Sequence, residues 1–219
     1  MNGVSAGRTG LREQKKRETR ERIAAIAREM FERHGYERVT VAQVAVSAGV
    51  SEATVFNYFP TKDELFFGGG LEQFQAAMLA AVRDRPAGES AISAYRRFTL
   101  QNIRHAADPN ATELILAGAR IVNSSQSLQA RERELIAATT DALAETLATN
   151  TAGGRFEAWV IANALMGVQR AIVAEVRAEV LAGRHGTALT TRVRRYASRA
   201  FDRLESGLAP TAGLRKNLQ

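Results

Sequence analysis

The chain has 219 residues, long enough for one large domain or two small ones, with 45% hydrophobic and 24% charged residues, an ordinary balance for a globular protein. It has no cysteine, which excludes disulfides, thiolate metal sites and a cysteine nucleophile. The net charge of +7 is carried by the two ends: residues 1–22 hold seven Lys/Arg against three Glu, and residues 184–219 hold eight Lys/Arg against two acids. A basic N-terminal end suits a partner with phosphates, whereas the basic C-terminal end is most simply a solvated helix face.

Apolar residues recur at helical spacings along the chain, and no segment shows the alternation of a strand. The first helix is expected over residues 13–34 and ends at Gly35, after a basic, Gly/Ser/Thr-rich arm (residues 1–12) that we expect to be disordered. No apolar run approaches roughly 20 residues and no signal peptide is recognisable, so we expect a cytoplasmic protein with no membrane partner. The later helices are expected over residues 41–48, 52–58, 61–83, 90–105, 111–122, 128–149, 155–181 and 187–206.

Two short helices follow the first at a close interval. Thr40 can cap one of them, with Gln43 closing a capping box, and Ser51 can cap the other. Gly49 supplies the left-handed residue that ends the first of the two and turns the chain into the second. Helices joined in this way form a helix-turn-helix, whose second helix, about Glu52–Tyr58, can enter a DNA major groove. By geometry alone, the same unit can equally be plain helix packing.

The helix expected from Thr61 begins with a second capping box, formed with Glu64, and is interrupted by Gly68-Gly69-Gly70. Because an interior glycine costs a helix about 1 kcal/mol relative to alanine, the triplet needs a reason. It is either a hinge that lets the start of this helix reorient, or a place where a neighbouring helix leaves no room for side chains. Alanine at all three positions stabilises the fold in the first case and destabilises it in the second.

Many residues at fixed spacing in FERHGYERVTVAQVAVSAGVSEATVFNYFPTKDEL match a known family, among them Gly35-Tyr36, Thr40-Val41, Ala48-Gly49-Val50-Ser51, Tyr58-Phe59 and Lys62. With them, residues 15–66 resemble the N-terminal domain of the tetracycline-repressor (TetR) family of bacterial transcriptional regulators. The resemblance implies an all-α fold of about nine helices. It comprises a three-helix helix-turn-helix domain over residues 13–60, a larger ligand-binding and dimerisation bundle over residues 61–207, and a frayed tail over residues 208–219. The implied function is that of a homodimeric repressor, released from its double-stranded DNA operator by a small hydrophobic or amphipathic effector.

The family's phosphate contacts can be carried over to matching positions of this sequence. They fall on Thr40, Ser51, Thr54, Tyr58 and Lys62. Hydroxyls, helix N-termini and a lysine are suitable partners for phosphate oxygens, although Thr40 and Ser51 are also needed as caps. Basic side chains near the start of the first helix can touch phosphates or pair with acids of the same helix: Lys15, Lys16, Arg17 and Arg20.

Base contacts must come from the exposed face of the recognition helix, because its opposite face points to the core. Asn57 can bond an adenine edge, and Glu52 can accept a hydrogen bond from cytosine. Ala53 and Phe56 can contact a thymine methyl group. Family members often have tyrosine at the position of Phe56, so a phosphate bond from a hydroxyl is in doubt there.

The last two helices carry apolar stripes along residues 155–181 and 187–206. By resemblance, these two long helices form the homodimer interface, packed as a four-helix bundle with their symmetry mates. A monomeric core explains the stripes almost as well.

A ligand pocket should place polar groups among apolar ones. Several predicted helices of the larger domain offer such groups, and each of them can equally be a buried structural polar group or an interface contact. The candidate ligand-binding residues are Phe74, Met78, Tyr95, Thr99, Asn102, Arg120, Asn123, Trp159 and Asn163.

An enzyme is the competing class of protein. The histidines, His34, His105 and His185, are scattered at helix ends without metal-ligand spacing, and no phosphate-binding loop follows a strand. We therefore expect no catalytic residue, no metal and no cofactor. A helical protein-interaction module is the stronger rival to DNA binding.

Overall fold

The structure, a computed structural model, describes residues 5–68, 70–105, 108–149 and 154–207. Within these ranges the regular structure is helical and contains no strand, which confirms the predicted all-α class. Ten helices are found where nine were expected, because the helix expected over residues 61–83 is divided in two. They are α1 (Ser5–His34), α2 (Val41–Ala48), α3 (Glu52–Tyr58), α4 (Glu64–Phe67), α5 (Leu71–Arg83), α6 (Ala91–His105), α7 (Pro109–Asn123), α8 (Gln126–Ala148), α9 (Gly154–Leu181) and α10 (Gly186–Glu205).

Helix α1 begins at Ser5 rather than near residue 13, so most of the segment expected to be a disordered arm is helical. Farther along the exposed first half of the helix, side chains four residues apart are in contact. Gln14 donates a hydrogen bond to Glu18 at 2.9 Å, and Arg17 lies 3.9 Å from Glu21. The tail expected to fray, residues 208–219, lies outside the described residues.

The capping box predicted at Thr61 is wrong. Helix α4 begins at Glu64, and the backbone of Asp63 is already helical, with φ −68° and ψ −26° and no side-chain cap. Helix α4 then ends at Gly68, and α5 begins three residues later. The glycine triplet therefore lies between two helices, so the cost of glycine in a helix interior does not apply to it. Its middle member, Gly69, lies outside the described residues.

The helices form two compact units. The first unit comprises Met1–Phe74 and Ala117–Glu132, and the second comprises Gln75–Leu116 and Arg133–Gln219. The first unit thus runs past residue 60, where we expected the DNA-binding domain to end, and includes the turn between α7 and α8. Helices α5, α7 and α8 each contribute residues to both units.

The first unit has a core built from α1 to α4. Its largest fully buried side chains include Ile23, Phe31, Phe59 and Leu65, and Leu128 of α8 is buried with them. The rings of Phe31 and Tyr36 meet edge to face with centroids 5.0 Å apart. This core holds the short helices α2 and α3, which are too short to be stable alone.

The second unit packs α10 against α6 and α9. Its buried side chains include Tyr95, Leu143, Leu165 and Phe201, and the Tyr95 and Phe201 rings lie 6.2 Å apart. Within the described residues, α9 is long and apolar enough to match a membrane span by length and composition, a test that core helices of soluble proteins also pass. Charged residues, Glu157 and Arg170 among them, interrupt its apolar stretch, so the expectation that no apolar run approaches roughly 20 residues stands for this helix.

Candidate nucleic-acid interface

The start of α2 is fixed by the predicted capping box, which forms. The Thr40 hydroxyl accepts a hydrogen bond from the Gln43 backbone N–H at 3.2 Å, and the Gln43 side chain accepts one from the Thr40 N–H at 2.9 Å. The helix ends at Gly49, whose φ of +64° is the left-handed conformation that favours glycine. The turn between the two short helices is therefore the one that the sequence predicts.

Helix α3 is fixed by a cap and by two buried side chains. The Ser51 hydroxyl accepts a hydrogen bond from the Thr54 N–H at 3.1 Å, and the two hydroxyls lie 2.8 Å apart. Val55 and Phe59 are fully buried. Because they hold one side of the helix on the core, the other side faces solvent.

The four side chains expected to read bases share that solvent side. Glu52, Ala53, Phe56 and Asn57 are all exposed, and Phe56 leaves 43% of its surface in solvent. An aromatic ring that exposed in the first unit is exceptional beside the buried Phe31 and Phe59. We call these four residues the recognition face.

The residues expected to contact phosphates are placed differently from one another. Thr40 and Ser51 are exposed at the starts of α2 and α3, while Thr54 and Tyr58 are half-buried. The hydroxyls of Thr40, Ser51 and Thr54 already take part in capping interactions. Each hydroxyl can still accept or donate a further bond, because it offers one donor and two acceptor positions.

Lys62 lies against Tyr36. Its ammonium donates a hydrogen bond to the Tyr36 carbonyl oxygen at 2.7 Å and sits 4.2 Å from the centroid of the Tyr36 ring. Burial lowers the pKa of Lys62, and the nearby Glu37 carboxylate acts in the opposite direction. Burial, with Asp63 and Glu37 close by, raises the pKa of Tyr36 to about 12. This cation therefore already has protein partners.

A second set of polar contacts, which the sequence did not predict, joins the helix-turn-helix to the α7–α8 turn inside the first unit. The Glu37 carboxylate accepts hydrogen bonds from the hydroxyls of Ser125, at 2.7 Å, and Ser127. Arg131 of α8 pairs with Asp63 at 2.6 Å. These partners are separated by about 70 to 90 residues in the sequence, so no local sequence pattern predicts the contacts.

The basic side chains of α1 are also placed unequally. Arg20 donates to the Gly68 carbonyl oxygen at 3.0 Å and lies over the Phe59 ring, 5.2 Å from its centroid, so it stabilises the fold. Arg17 pairs with Glu21. Lys15 and Lys16 are exposed, and they stay the phosphate candidates of this helix.

The candidate ligand-binding residues do not all lie together. Met78, Tyr95 and Thr99 are buried in the second unit. The Tyr95 hydroxyl donates to the Met166 sulfur at 3.6 Å, and burial raises the pKa of Tyr95. The Thr99 hydroxyl is buried without a hydrogen-bond partner among the described residues.

The other candidates lie elsewhere. Arg120 and Asn123 are exposed in the first unit, where Arg120 lies 3.8 Å from Glu32, and Phe74 is half-buried at the end of that unit. In the second unit, the Asn102 side chain donates to the Phe98 carbonyl at 2.9 Å, and the Asn163 side chain donates to the Trp159 carbonyl at 2.8 Å. Asn163 and Trp159 are exposed, whereas Asn102 is half-buried.

Helix α9 presents a long apolar face to solvent. Phe156 is 79% exposed, Trp159 51%, Val160 46% and Leu181 44%. Residues at helical spacing between them are small and exposed: Gly167, Ala171, Ala174 and Ala178. An apolar stripe exposed along a helix is typical of a binding surface.

Comparison with known sequences identifies the N-terminal segment. The family described as "Bacterial regulatory proteins, tetR family" matches residues 23–68, a range that includes all of α2, α3 and α4. The HTH-type transcriptional regulator TcmR of Streptomyces glaucescens is 39% identical over 85 residues, 39% of this chain and 37% of that protein. The uncharacterized HTH-type transcriptional regulator Rv1556 of Mycobacterium tuberculosis is 41% identical over 50 residues, 23% of this chain and 25% of that protein. The matches therefore span well under two thirds of these relatives.

Comparison with solved structures extends over most of the chain. Thermus thermophilus FadR, a TetR-family repressor crystallised with lauroyl-CoA, has a TM-score of 0.53 at 20% identity, covering 89% of this chain and 97% of that one. NalD of Pseudomonas aeruginosa, the secondary repressor of the MexAB-OprM multidrug efflux pump, has a TM-score of 0.56 at 14% identity, covering 86% and 96%. At these identities the likeness shows a common fold.

Proposed function

We propose that this chain belongs to the TetR family of bacterial regulatory proteins, whose family model matches residues 23–68, and that it is a sequence-specific DNA-binding regulator that acts as a homodimeric repressor. In this proposal a small hydrophobic or amphipathic effector releases it from its operator. The observation that carries the proposal is the recognition face, four exposed side chains on the second helix of a well-capped helix-turn-helix.

On DNA, α3 lies in the major groove and α2 crosses the backbone, as in other helix-turn-helix proteins. Thr40 and Ser51 stand at the helix starts that would face phosphates, and Lys62 supplies a positive charge. The Lys62 ammonium has three N–H donors, so it can donate to a phosphate beside the Tyr36 carbonyl, and the charged acceptor makes the stronger hydrogen bond. These contacts position the protein, and the recognition face reads the bases.

The exposed face of α9 supports the dimer. Four large apolar residues and the small residues between them fit a symmetric interface in which the same surface of two copies meets itself. Such an interface also accounts for the apolar character of α9 in a cytoplasmic protein. Two recognition helices then bind half-sites one DNA turn apart, roughly 34–36 Å, or a multiple of that distance.

Two buried residues of the second unit favour an effector site with few polar groups. Thr99 has an unsatisfied buried hydroxyl close in sequence to the buried Tyr95 ring, within a largely apolar core. A ligand that binds there releases the operator only to the extent that it prefers the non-binding conformation. FadR, which shares the fold, was crystallised with lauroyl-CoA, an amphipathic molecule.

The proposal is tested by selecting double-stranded DNA from a random pool with the full-length protein. We expect an inverted repeat to be enriched, and the DNA upstream of the protein's own gene to compete for binding. Sites selected with the variant Asn57→Ala should show no base preference at one position. Its binding free energy for the wild-type site should be weaker by roughly 1–3 kcal/mol. Failure to enrich any sequence would contradict the proposal and favour a protein-interaction module.

A further inference from the structure

The two helices of the helix-turn-helix contain no lysine or arginine. Helix α2 reads VAQVAVSA and α3 reads EATVFNY, so their only charged residue is Glu52. The commonest specific contact to a base is an arginine or lysine bound to the O6 and N7 atoms of guanine. Neither helix can make it.

The nearby cations that the structure describes are directed elsewhere. Arg38, just before α2, donates through its Nε to the His34 carbonyl oxygen at 2.6 Å. Lys62 donates to the Tyr36 carbonyl, and Arg20 donates to the Gly68 carbonyl. These three cations thus bind backbone carbonyl oxygens of the protein, and none of them belongs to the recognition face, which leaves the bases to other side chains.

The recognition face is instead half apolar. Phe56 is 43% exposed, and Ala53 lies three residues before it, on the same side of the helix. Exposing an aromatic ring to water is unfavourable by roughly 25 cal/mol per Å² of apolar surface, and no capping or packing role within the described residues accounts for the exposed part. In the major groove, the one apolar group at a base edge is the C5-methyl of thymine.

We propose that this regulator recognises its operator through thymine methyl groups, with Phe56 as the specificity-determining contact and Ala53 beside it. Asn57 adds adenine recognition, so these three residues read A·T pairs, while Glu52 stays the acceptor for a cytosine amino group. The inference rests on the proposed function, since it names the feature of the operator that the recognition face selects.

Deoxyuridine isolates the methyl group. It pairs with adenine and presents every hydrogen-bonding atom of thymine, and it lacks only the C5-methyl. The experiment takes the inverted repeat enriched from the random pool and replaces each thymine in turn with deoxyuridine. The affinity of the full-length protein is then measured by fluorescence anisotropy.

We expect deoxyuridine at one position of a half-site to weaken binding about fourfold. At both symmetric positions the loss should be about fifteenfold, because each half-site then loses about one buried methyl group. Phe56→Ala should weaken binding to the thymine site and remove the difference between thymine and deoxyuridine. Val46→Ala is the matched control. Val46 is an exposed apolar residue of the same domain, 80% in solvent, but it lines a separate groove of about 600 Å³ with Met30 and His34. It should keep the wild-type difference.

Two outcomes overturn the inference while leaving the proposed function intact: an operator that binds equally well with deoxyuridine at every position, and a thymine preference that persists undiminished in Phe56→Ala. Because the Phe56 and Val46 side chains are exposed, Phe56→Ala and Val46→Ala should both remain folded, and thermal unfolding checks this. If no sequence is enriched at all, the proposed function fails and the inference fails with it, so the two failures are distinguishable.

Discussion

The ammonium of Lys62 donates a hydrogen bond to the carbonyl oxygen of Tyr36 and lies over the ring of the same residue. The cation that we propose as a phosphate contact is thus held in place by the protein itself. Such a side chain is preorganised, because little rotamer freedom remains to be lost when a phosphate binds. The ammonium has three N–H donors, so it can keep the Tyr36 carbonyl while it donates to a phosphate.

Lys62→Met should therefore weaken binding to all DNA sequences alike and reduce the slope of log affinity against log salt by about one for each protomer bound. The methionine keeps the apolar stem over Tyr36 but carries no charge. Arg97→Gln is the control, because Arg97 pairs with Glu89 in the second unit and its loss changes net charge equally. If both variants changed the slope by the same amount, Lys62 would not contact phosphate.

The contact between Glu37 and the start of α8 predicts acid sensitivity. The hydroxyl of Ser127, followed by that of Ser125, lowers the pKa of Glu37 below its ordinary value of 4.5. A carboxylate with a lowered pKa stabilises the folded state above its ordinary pKa, and this stabilisation is lost as the pH falls through the lowered value.

Glu37→Gln and Ser127→Ala should each flatten the decline of the unfolding temperature below about pH 4.5. Thermal unfolding followed by circular dichroism between neutral and acid pH measures this decline. A decline in both variants that is as steep as in the wild type would show that the Glu37 contact does not contribute.

Alanine at Gly68 or Gly70 should destabilise the protein. A Cβ at Gly68 would lie 2.6 Å from the Glu64 carbonyl oxygen, and Gly70 has a φ of +109° that favours glycine. We expect about 1–3 kcal/mol for Gly70→Ala from backbone strain alone. Gly10→Ala is the control, because Gly10 lies in helix α1 and an added Cβ there meets nothing within 4 Å.

The expected loss of stability agrees with the hypothesis that the fold itself requires glycine at these positions. It contradicts the hinge hypothesis, in which alanine stabilises the fold. Chemical denaturation of the single variants decides between them, and an unfolding free energy increased by Gly68→Ala or Gly70→Ala would restore the hinge.

Charge placed on the exposed face of α9 should separate the dimer. Val160→Glu introduces a carboxylate among Phe156 and Trp159, where the partner copy would bury it. Light scattering after size exclusion should then report a monomer, with operator affinity reduced because the two half-sites are no longer bound together. The exposed residue Glu145 of α8 offers a control, Glu145→Gln. A wild-type protein that is itself monomeric would exclude the proposed dimer.

Local features of the DNA-binding unit could be predicted from the sequence because their causes are local. Thr40 and Ser51 are caps, Gly49 ends α2, and all three depend on residues within four positions along the chain. Burial of Val55 and Phe59 follows from helical periodicity, and it leaves the recognition face exposed.

Features that depend on long-range packing could not be predicted. The hydroxyl of Ser125 donates a hydrogen bond to Glu37, which is 88 residues away in the sequence. No pattern in either segment predicts that the two come into contact. Thr61 failed as a cap because residues 62 and 63 turn before the helix begins, while Asp63 pairs with Arg131. Trp159 was assigned to a ligand pocket but is exposed, since an apolar stripe does not reveal whether it faces a ligand, the core or another copy.

Recognition of a particular DNA sequence by α3 is tested most directly by comparing two affinities of the full-length protein. One is its affinity for the enriched operator, and the other is its affinity for a scrambled duplex of the same length and composition, each measured at several salt concentrations. At physiological salt we expect the operator to bind at least about a thousandfold more tightly than the scrambled duplex. Asn57→Ala and Phe56→Ala should reduce this ratio of affinities, whereas Lys62→Met should lower both affinities together. Equal affinity for the two duplexes at every salt concentration would contradict sequence recognition by α3.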